Sequence, residues 1–338
     1  MRIQKDISLK KYNTFGIEAK ARYFVEITTL ELLQQVLQLD EHPDKFIISG
    51  GSNMLITKDI DALVMHINMK GILIVEEDDK NVLIEVMAGE NWHDLVLWTL
   101  DNDYGGLQNL SLIPGNTGTA PIQNIGAYGV ELKDVFDSCD ALNVKTNKIE
   151  TFSKATCNFG YRDSFFKNEG KGRYIISSVR LKLTKKDHLL NTSYGAIDLE
   201  LENNKIVNPS IQDISQAVVA IRRRKLPDPE ELGNSGSFFK NPVLKKTEFL
   251  QFEKEHPAAP YYRVSDEEYK IPAGWLIEQC GFKGKKFGEA GVHKNQALVL
   301  VNHGGASGKE ILKLAHKIQD AVLSKFRIKI LPEVNIIE

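Results

Sequence analysis

The segment Pro114-Gly115-Asn116-Thr117-Gly118-Thr119-Ala120-Pro121-Ile122-Gln123-Asn124-Ile125-Gly126-Ala127-Tyr128-Gly129 constrains the fold more than any other stretch of the chain. It carries four glycines, two prolines and two asparagines. Such a run suits neither a long helix nor an uninterrupted ladder strand. Glycine reaches positive φ and opens backbone N–H groups to a phosphate, while Gln123 and Asn124 can bond the polar edge of a planar ring. On chemistry alone, ligand binding and an irregular structural loop stand at about even odds. The spacing is not that of a P-loop, and no G-x-G-x-x-G lies between a strand and a helix, so a bound nucleotide requires another kind of fold. A second small-residue turn, Ser49-Gly50-Gly51-Ser52-Asn53, follows a strand and precedes Met54 to Ile56. Read by itself it is a structural turn more readily than a phosphate site.

Around these turns the apolar period alternates between helix and strand. Leu30, Leu33, Val36 and Leu37 give a helix within 29–39, feeding a short strand at 46–48. Runs at 63–67, 72–75 and 82–88 read as strands, and Trp92 to Leu100 as an amphipathic helix that Gly105 and Gly106 terminate. A longer strand covers 174–183. Ile214, Val218 and Ile221 set a helix over 211–223, broken by Leu226-Pro227-Asp228-Pro229, where a domain boundary is placed. Beyond it, 237–239 reads as a strand start, 273–280 as a helix, 297–301 as a strand and 309–326 as a long helix. The polar stretch 251–260 reads as a surface loop. The overall class is α+β.

Composition narrows the partners. With 43 Lys and Arg against 45 Asp and Glu, the net charge of −2 gives no reason to expect a nucleic-acid or anionic-membrane surface. The charged N-terminus is not a signal peptide, and no run approaches about 20 apolar residues. Cys139, Cys157 and Cys280 are too few and too dispersed for a disulfide framework or a zinc site, and suit a reducing cytoplasm as buried packing residues. The histidines are scattered, so no metal site is expected.

Read in order, Asn13-Thr14-Phe15-Gly16, Gly51-Ser52-Asn53 and the 114–129 segment resemble the UDP-N-acetylenolpyruvoylglucosamine reductase family, MurB, of peptidoglycan precursor synthesis. The resemblance continues through Tyr161-Arg162-Asp163-Ser164-Phe165-Phe166-Lys167, Lys225-Leu226-Pro227-Asp228-Pro229, Gly236-Ser237-Phe238-Phe239-Lys240-Asn241-Pro242 and Leu331-Pro332-Glu333-Val334. It departs at position 49, where the family pattern Gly-x-Gly-Ser-Asn begins with serine. A serine at positive φ there would be strained.

This resemblance implies a two-lobed FAD-binding fold of the vanillyl-alcohol-oxidase type plus a separate α+β substrate-binding domain. The lobes would span 1–69 and 70–221, the substrate domain 222–329, with 330–338 packing near the first lobe. FAD would be held by Ser49, Gly50, Gly51, Ser52, Asn53, Pro114, Gly115, Gly118, Ala120, Gln123, Asn124, Gly126, Ala127 and Tyr128. No His or Cys lies in 46–57 or 114–129, so the flavin is expected to be non-covalent. With NADPH as co-substrate, hydride passes from flavin N5 to the distal enolpyruvyl carbon and a proton follows from Ser237, while Arg162 and Glu333 stabilise the enolic intermediate. Tyr194, on a loop that closes over substrate, Lys225, Asn241, Tyr262, Lys270 and Gln296 would bind the UDP-sugar. A cytoplasmic enzyme, expected to be a monomer, follows.

Without the family, the same residues read more plainly. Arg162 would pair with Asp163, Ser237 would be a turn or cap serine, and Glu333 an exposed terminal carboxylate. Arg222-Arg223-Arg224-Lys225 would be a solvated, dipole-compensating helix end, with only Lys225 implied at the diphosphate. Trp275 reads as core, and His293 carries no assigned role. Two rival functions remain: an FAD oxidase on the same fold, and a UDP-sugar-binding protein without turnover.

Overall fold

A computed structural model describes residues 1–338, and the chain divides into two units built from alternating segments. The first comprises Met1–Ile7, Ala21–Gly50 and Asp61–Arg224, and the second Ser8–Lys20, Gly51–Ile60 and Lys225–Glu338.

Within the first unit, the strand Tyr174–Thr184 is buried at most positions because its two faces serve two cores. It lies centrally in an antiparallel five-stranded sheet, ordered Ile149–Ser153, Phe136–Asn143, Tyr174–Thr184, Asn81–Met87, Ile72–Glu77. Ile176, Val179 and Leu181 pack with Trp92, Leu95 and Val96 of the helix Trp92–Asp101. Ile175 instead joins Val25, Leu33, Val36 and Leu63. Those residues belong to a four-stranded sheet, ordered Gln4–Ser8, Lys20–Ile27, Ile60–Ile67, Lys45–Ile48, and to the helix Leu30–Leu37. Thr29 starts that helix by accepting from Leu32 N at 3.1 Å. Leu33 and Val36 are each fully buried, which stabilises the unit by about 1.5–3 kcal/mol per side chain.

In the second unit, Gly233–Ser237, Val299–Asn302, Ala290–Val292 and Lys286–Phe287 form an antiparallel sheet, and Val243–Lys245, Glu268–Lys270 and Tyr262–Arg263 a smaller one. The C-terminal strand Asn335–Ile337 pairs in parallel with Met54–Ile56. The helix Gly308–Phe326 sends Ile311, Leu314, Ile318 and Val322 into a core shared with Phe15, Ile17 and Leu55. No helix of the structure is long and apolar enough to cross a membrane.

Several expected elements differ. Half of the stretch 251–260 is helical, since the helix Lys246–Glu255 buries Phe249 and Phe252 on one face while its polar residues face solvent. Ser237 ends a strand rather than starting one, after a register shift between Asn234 and Ser237. The helix at Trp92 stops at Asp101, ahead of Gly105. Cys139 and Cys157 are buried, but Cys280 is partly exposed.

Candidate active site

In the first unit, the strand Lys45–Ile48 delivers Ser49 and Gly50 against the 114–129 segment. A Cβ on Gly50 would stand 2.8 Å from Gly115 Cα and 2.9 Å from Asn116 Oδ1, so only glycine permits this approach. Ser49 does not take a positive φ; that conformation falls one residue beyond Gly50, at Gly51 with φ +57°. The strain expected of serine is therefore absent. The Ser49 Oγ is enclosed and has no hydrogen-bond partner.

The 114–129 segment is anchored from below. Gly115 O accepts from Trp92 N at 2.9 Å, and Gly118 N donates to Ala88 O at 2.9 Å. Thr117–Gln123 forms a 3-10 helix with Gly118, Ala120 and Pro121 buried, while Pro114 is exposed and Gln123 half-buried. At Asn124 the chain turns left-handed (φ +45°) into the short hairpin Gly126–Ala127 and Val130–Glu131. The Asn124 amide is committed to protein: its Nδ2 donates to Gly160 O and Glu131 Oε2, and its Oδ1 accepts from Lys133 N at 3.0 Å. It shapes the loop from behind, and the Gly118 N–H is likewise occupied.

Arg162 sits half-buried at φ +54° and donates from Nη2 to Gly126 O. Its own carbonyl accepts from Lys167 Nζ at 2.9 Å, and Asp163 accepts from Asn168 Nδ2 at 3.0 Å. A cationic group held in a sparsely populated backbone conformation is a feature that clusters at functional sites. Beside this arginine's field lies Arg222, whose Nε is enclosed without a partner; burial pushes its guanidinium below the ordinary value, partly offset by the Tyr128 hydroxyl. Burial in turn raises the Tyr128 phenol. Tyr194, exposed at the start of the helix Gly195–Asn203, packs edge-to-face on Tyr128 with ring centres 5.3 Å apart.

In the second unit, Ser235 Oγ donates to Met54 O at 3.2 Å, and Asn234 Nδ2 holds Pro227 O and Leu232 O. These bonds fix the strand that ends at Ser237, whose side chain is exposed. Glu333 N donates to Phe238 O at 2.8 Å and Phe239 bridges Pro332, so Ser237 and Glu333 lie on adjacent backbones. Asn53 O accepts from Asn335 N at 3.1 Å, tying the half-buried Ser52 and Asn53 to the C-terminal strand. Asn241 Oδ1 accepts from Ala273 N at 2.9 Å at the start of the helix Ala273–Gln279. Lys270 places Nζ 5.7 Å from the Tyr262 ring centre across paired strands. Gln296 Oε1 accepts from Leu298 N at 3.3 Å, and Lys225 is exposed.

Arg222, read from the sequence as part of a solvated helix end, is instead partly buried with its Nε enclosed. The signal was present: Arg222 follows Val218 by four positions, on the buried face of Ile211–Lys225. His293 is buried, with Nδ1 unpartnered.

Residues 228–337 match the family model described as UDP-N-acetylenolpyruvoylglucosamine reductase, C-terminal domain, and 21–151 match an FAD binding domain. A UDP-N-acetylenolpyruvoylglucosamine reductase of Flavobacterium johnsoniae is 60% identical over 337 residues, covering 100% of each chain. The chain belongs to this reductase family. A second relative of the same name, from Amoebophilus asiaticus, is 46% identical over 340 residues and also covers 100% of both chains. The MurB crystal structure from Thermus caldophilus, 22% identical, superposes with a TM-score of 0.69 over 100% of each chain and shares the fold. The expected class, an FAD-binding domain plus a C-terminal MurB domain with mixed helix and strand, holds, and the chain is an FAD-dependent oxidoreductase of the MurB family. The FAD-domain match spans both glycine-rich segments. The close approach of the two glycine-rich turns at Gly50 fits a phosphate-bearing cofactor.

Proposed function

We propose that this enzyme reduces the enolpyruvyl ether of UDP-N-acetylglucosamine enolpyruvate to the lactyl ether of UDP-N-acetylmuramate, with NADPH as electron donor. The observation that carries the mechanistic reading is the pairing that sets Glu333 N on Phe238 O, next to Ser237. The chemistry FAD supplies when bound is hydride transfer, taken from NADPH and later given to the distal enolpyruvyl carbon.

The addition leaves carbanion character on the carbon bearing the ether oxygen, delocalised into the adjacent carboxylate as an enolate. Arg162, already fixed by Gly126 O and its neighbours, holds that carboxylate and favours its enolic form. Ser237 Oγ delivers the proton. A serine hydroxyl is a poor acid near neutral pH, so its developing oxyanion needs stabilisation, and Glu333 either bonds the enolic oxygen or assists proton delivery. One hydride and one proton saturate the double bond; NADPH, having given up its hydride in the earlier half-reaction, has already left as NADP⁺, and Ser237 regains its proton from solvent. Lys225, Asn241, Tyr262, Lys270 and Gln296 bind the UDP-sugar, with Tyr194 as a ring that covers it.

Anaerobic visible spectra test this directly. NADPH should bleach the flavin band, and enolpyruvyl-UDP-N-acetylglucosamine, added after the nicotinamide is removed, should restore it. Recovery with oxygen alone would replace the reductase reading with an oxidase. Ser237→Ala should bleach normally but recover with substrate slower by orders of magnitude. Recovery at the parent rate would remove Ser237 from proton delivery.

A further inference from the structure

We propose that Asn109 is a positioning residue for substrate capture: its amide ties the segment that presents Tyr194 to the loop that presents Tyr128, and so places the Tyr194 ring. The proposal rests on the reading above of Tyr194 as the ring that covers the UDP-sugar, and adds the residue that holds it there. Between the strand ending at Thr184 and the helix starting at Gly195 the chain forms neither helix nor strand. Leu189, Leu190 and Tyr194 are exposed along this connection. With no ladder and little burial to fix it, its conformation depends on individual hydrogen bonds.

Those bonds converge on the 3-10 helix Gln108–Leu110, whose three residues are buried. Asn109 Nδ2 donates to Tyr128 O at 3.1 Å and to Asn191 O at 2.8 Å, so both amide hydrogens bridge two segments distant in sequence. Two carbonyl acceptors fix which way the amide faces, because only its nitrogen can donate. The Asn109 Oδ1 is enclosed without a partner, which leaves these two donated bonds to offset the burial of the whole amide. Beside it, Gln108 Nε2 donates to Leu189 O at 3.1 Å. Asn191 closes the clasp from its own side: its Nδ2 donates to Gly129 O at 3.2 Å, and its Oδ1 accepts from Ser193 Oγ at 2.9 Å. The bonds of the Asn191 side chain are exposed, where water can replace either partner, whereas Asn109 is fully buried. Asn109 therefore holds one backbone at Tyr128 and the other three residues ahead of Tyr194, and the two rings meet edge-to-face at 5.3 Å.

The experiment is a double-mutant cycle on the FAD-loaded enzyme. Steady-state kcat and KM for enolpyruvyl-UDP-N-acetylglucosamine are measured in the parent, Asn109→Leu, Tyr194→Ala and the double variant. Leucine keeps the volume of Asn109 but cannot donate. Asn109→Leu should raise KM about tenfold, the loss of one to two hydrogen bonds, and leave kcat and the anaerobic rate of flavin bleaching by NADPH at parent values. In the Tyr194→Ala background the same substitution should change KM by less than about twofold, because Asn109 acts through that ring. Asn109→Ala, which removes the amide without adding bulk, should show the same pattern and keeps the test decisive if the leucine variant fails to fold. A KM rise that persists in full without the Tyr194 ring overturns the proposal, and so does slowed bleaching or loss of FAD, which would place the effect of Asn109 in the flavin loop. Tyr194→Ala with a parent-like KM sinks the reading of Tyr194 as the substrate cover and this proposal with it. A raised KM in Tyr194→Ala beside parent-like values in both Asn109 variants sinks this proposal alone.

Discussion

Arg222 carries a charge into a place where its Nε has no partner and a phenol, Tyr128, rather than a carboxylate, faces the guanidinium, and burial lowers its pKa. A guanidinium held this way is poised for an anionic ligand group, because desolvation strengthens its hydrogen bonds to an oxyanion. Arg222→Met should lower turnover of the enolpyruvyl substrate by roughly tenfold to a hundredfold in steady-state assays, since a bond to charge contributes on the order of 1.5–3 kcal/mol. Its exposed neighbour gives the control: Arg223→Met should stay within about twofold of the parent, as surface substitutions generally do. Equal effects of the two would return Arg222 to the solvated helix end first read from the sequence. Among single residues, the turns were legible because glycine and proline advertise themselves, whereas the enclosed Arg222 and orphaned Ser49 Oγ depend on packing. In Asn124 the residue type was right for bonding, but the sequence did not show that its amide faces Gly160, Glu131 and Lys133.

At the scale of elements, the helix Trp92–Asp101 illustrates how a cap and a titratable group cooperate. Asn91 Oδ1 accepts from His93 N and Asp94 N, and His93 Nδ1 accepts from Leu112 N at 3.0 Å. Accepting at Nδ1 requires that this nitrogen be deprotonated, and burial pushes the ring's pKa below its ordinary 6.5. Below that ordinary value the unfolded chain takes up a proton that the folded protein resists. The stabilisation is therefore full above pH 6.5 and is lost as pH falls through the depressed folded value. His293, depressed by burial as well, acts in the same direction. Denaturant unfolding at pH 7.5 and 5.5 should show a smaller acid loss for His93→Asn, which can keep an acceptor towards Leu112, than for the parent. Identical losses would place the acid sensitivity elsewhere. Strongly periodic elements such as Gly308–Phe326 and Tyr174–Thr184 were legible within a residue or two. Lys246–Glu255 was partly hidden because only Phe249 and Phe252 are buried in it, and flanking charges imitate a loop.

For the whole molecule, one unit's long segment ends at Arg224, near the Leu226-Pro227-Asp228-Pro229 break, but the three-part composition of each unit was not visible in the sequence. Proline marks a local stop; nothing local marks Ser8–Lys20 and Gly51–Ile60 as partners of residues beyond 225. Phe15, Ile17 and Leu55 belong to the second unit's core, and a Cβ on Gly308 would stand 1.8 Å from Ile56 O. A fragment of residues 225–338 lacks these pieces. It should show no cooperative thermal transition by circular dichroism, because it forfeits about 1.5–3 kcal/mol of burial for each missing large core side chain from a small margin of stability. A sharp transition in that fragment would mean that the early segments decorate the unit rather than complete it.

The parallel pairing of Met54–Ile56 with Asn335–Ile337 also sets a timetable. Asn53 and Asn335, which bond each other, are 282 positions apart in the chain. At about 5–20 residues per second, the early strand is made roughly 15–55 s before its partner. During that interval the nascent chain carries an apolar strand whose ladder no earlier residue completes, the kind of edge that chaperones shield. A message cut short ahead of the codon for Asn335 would yield a protein whose first unit has every residue it needs while its second lacks the strand that pairs with Met54–Ile56.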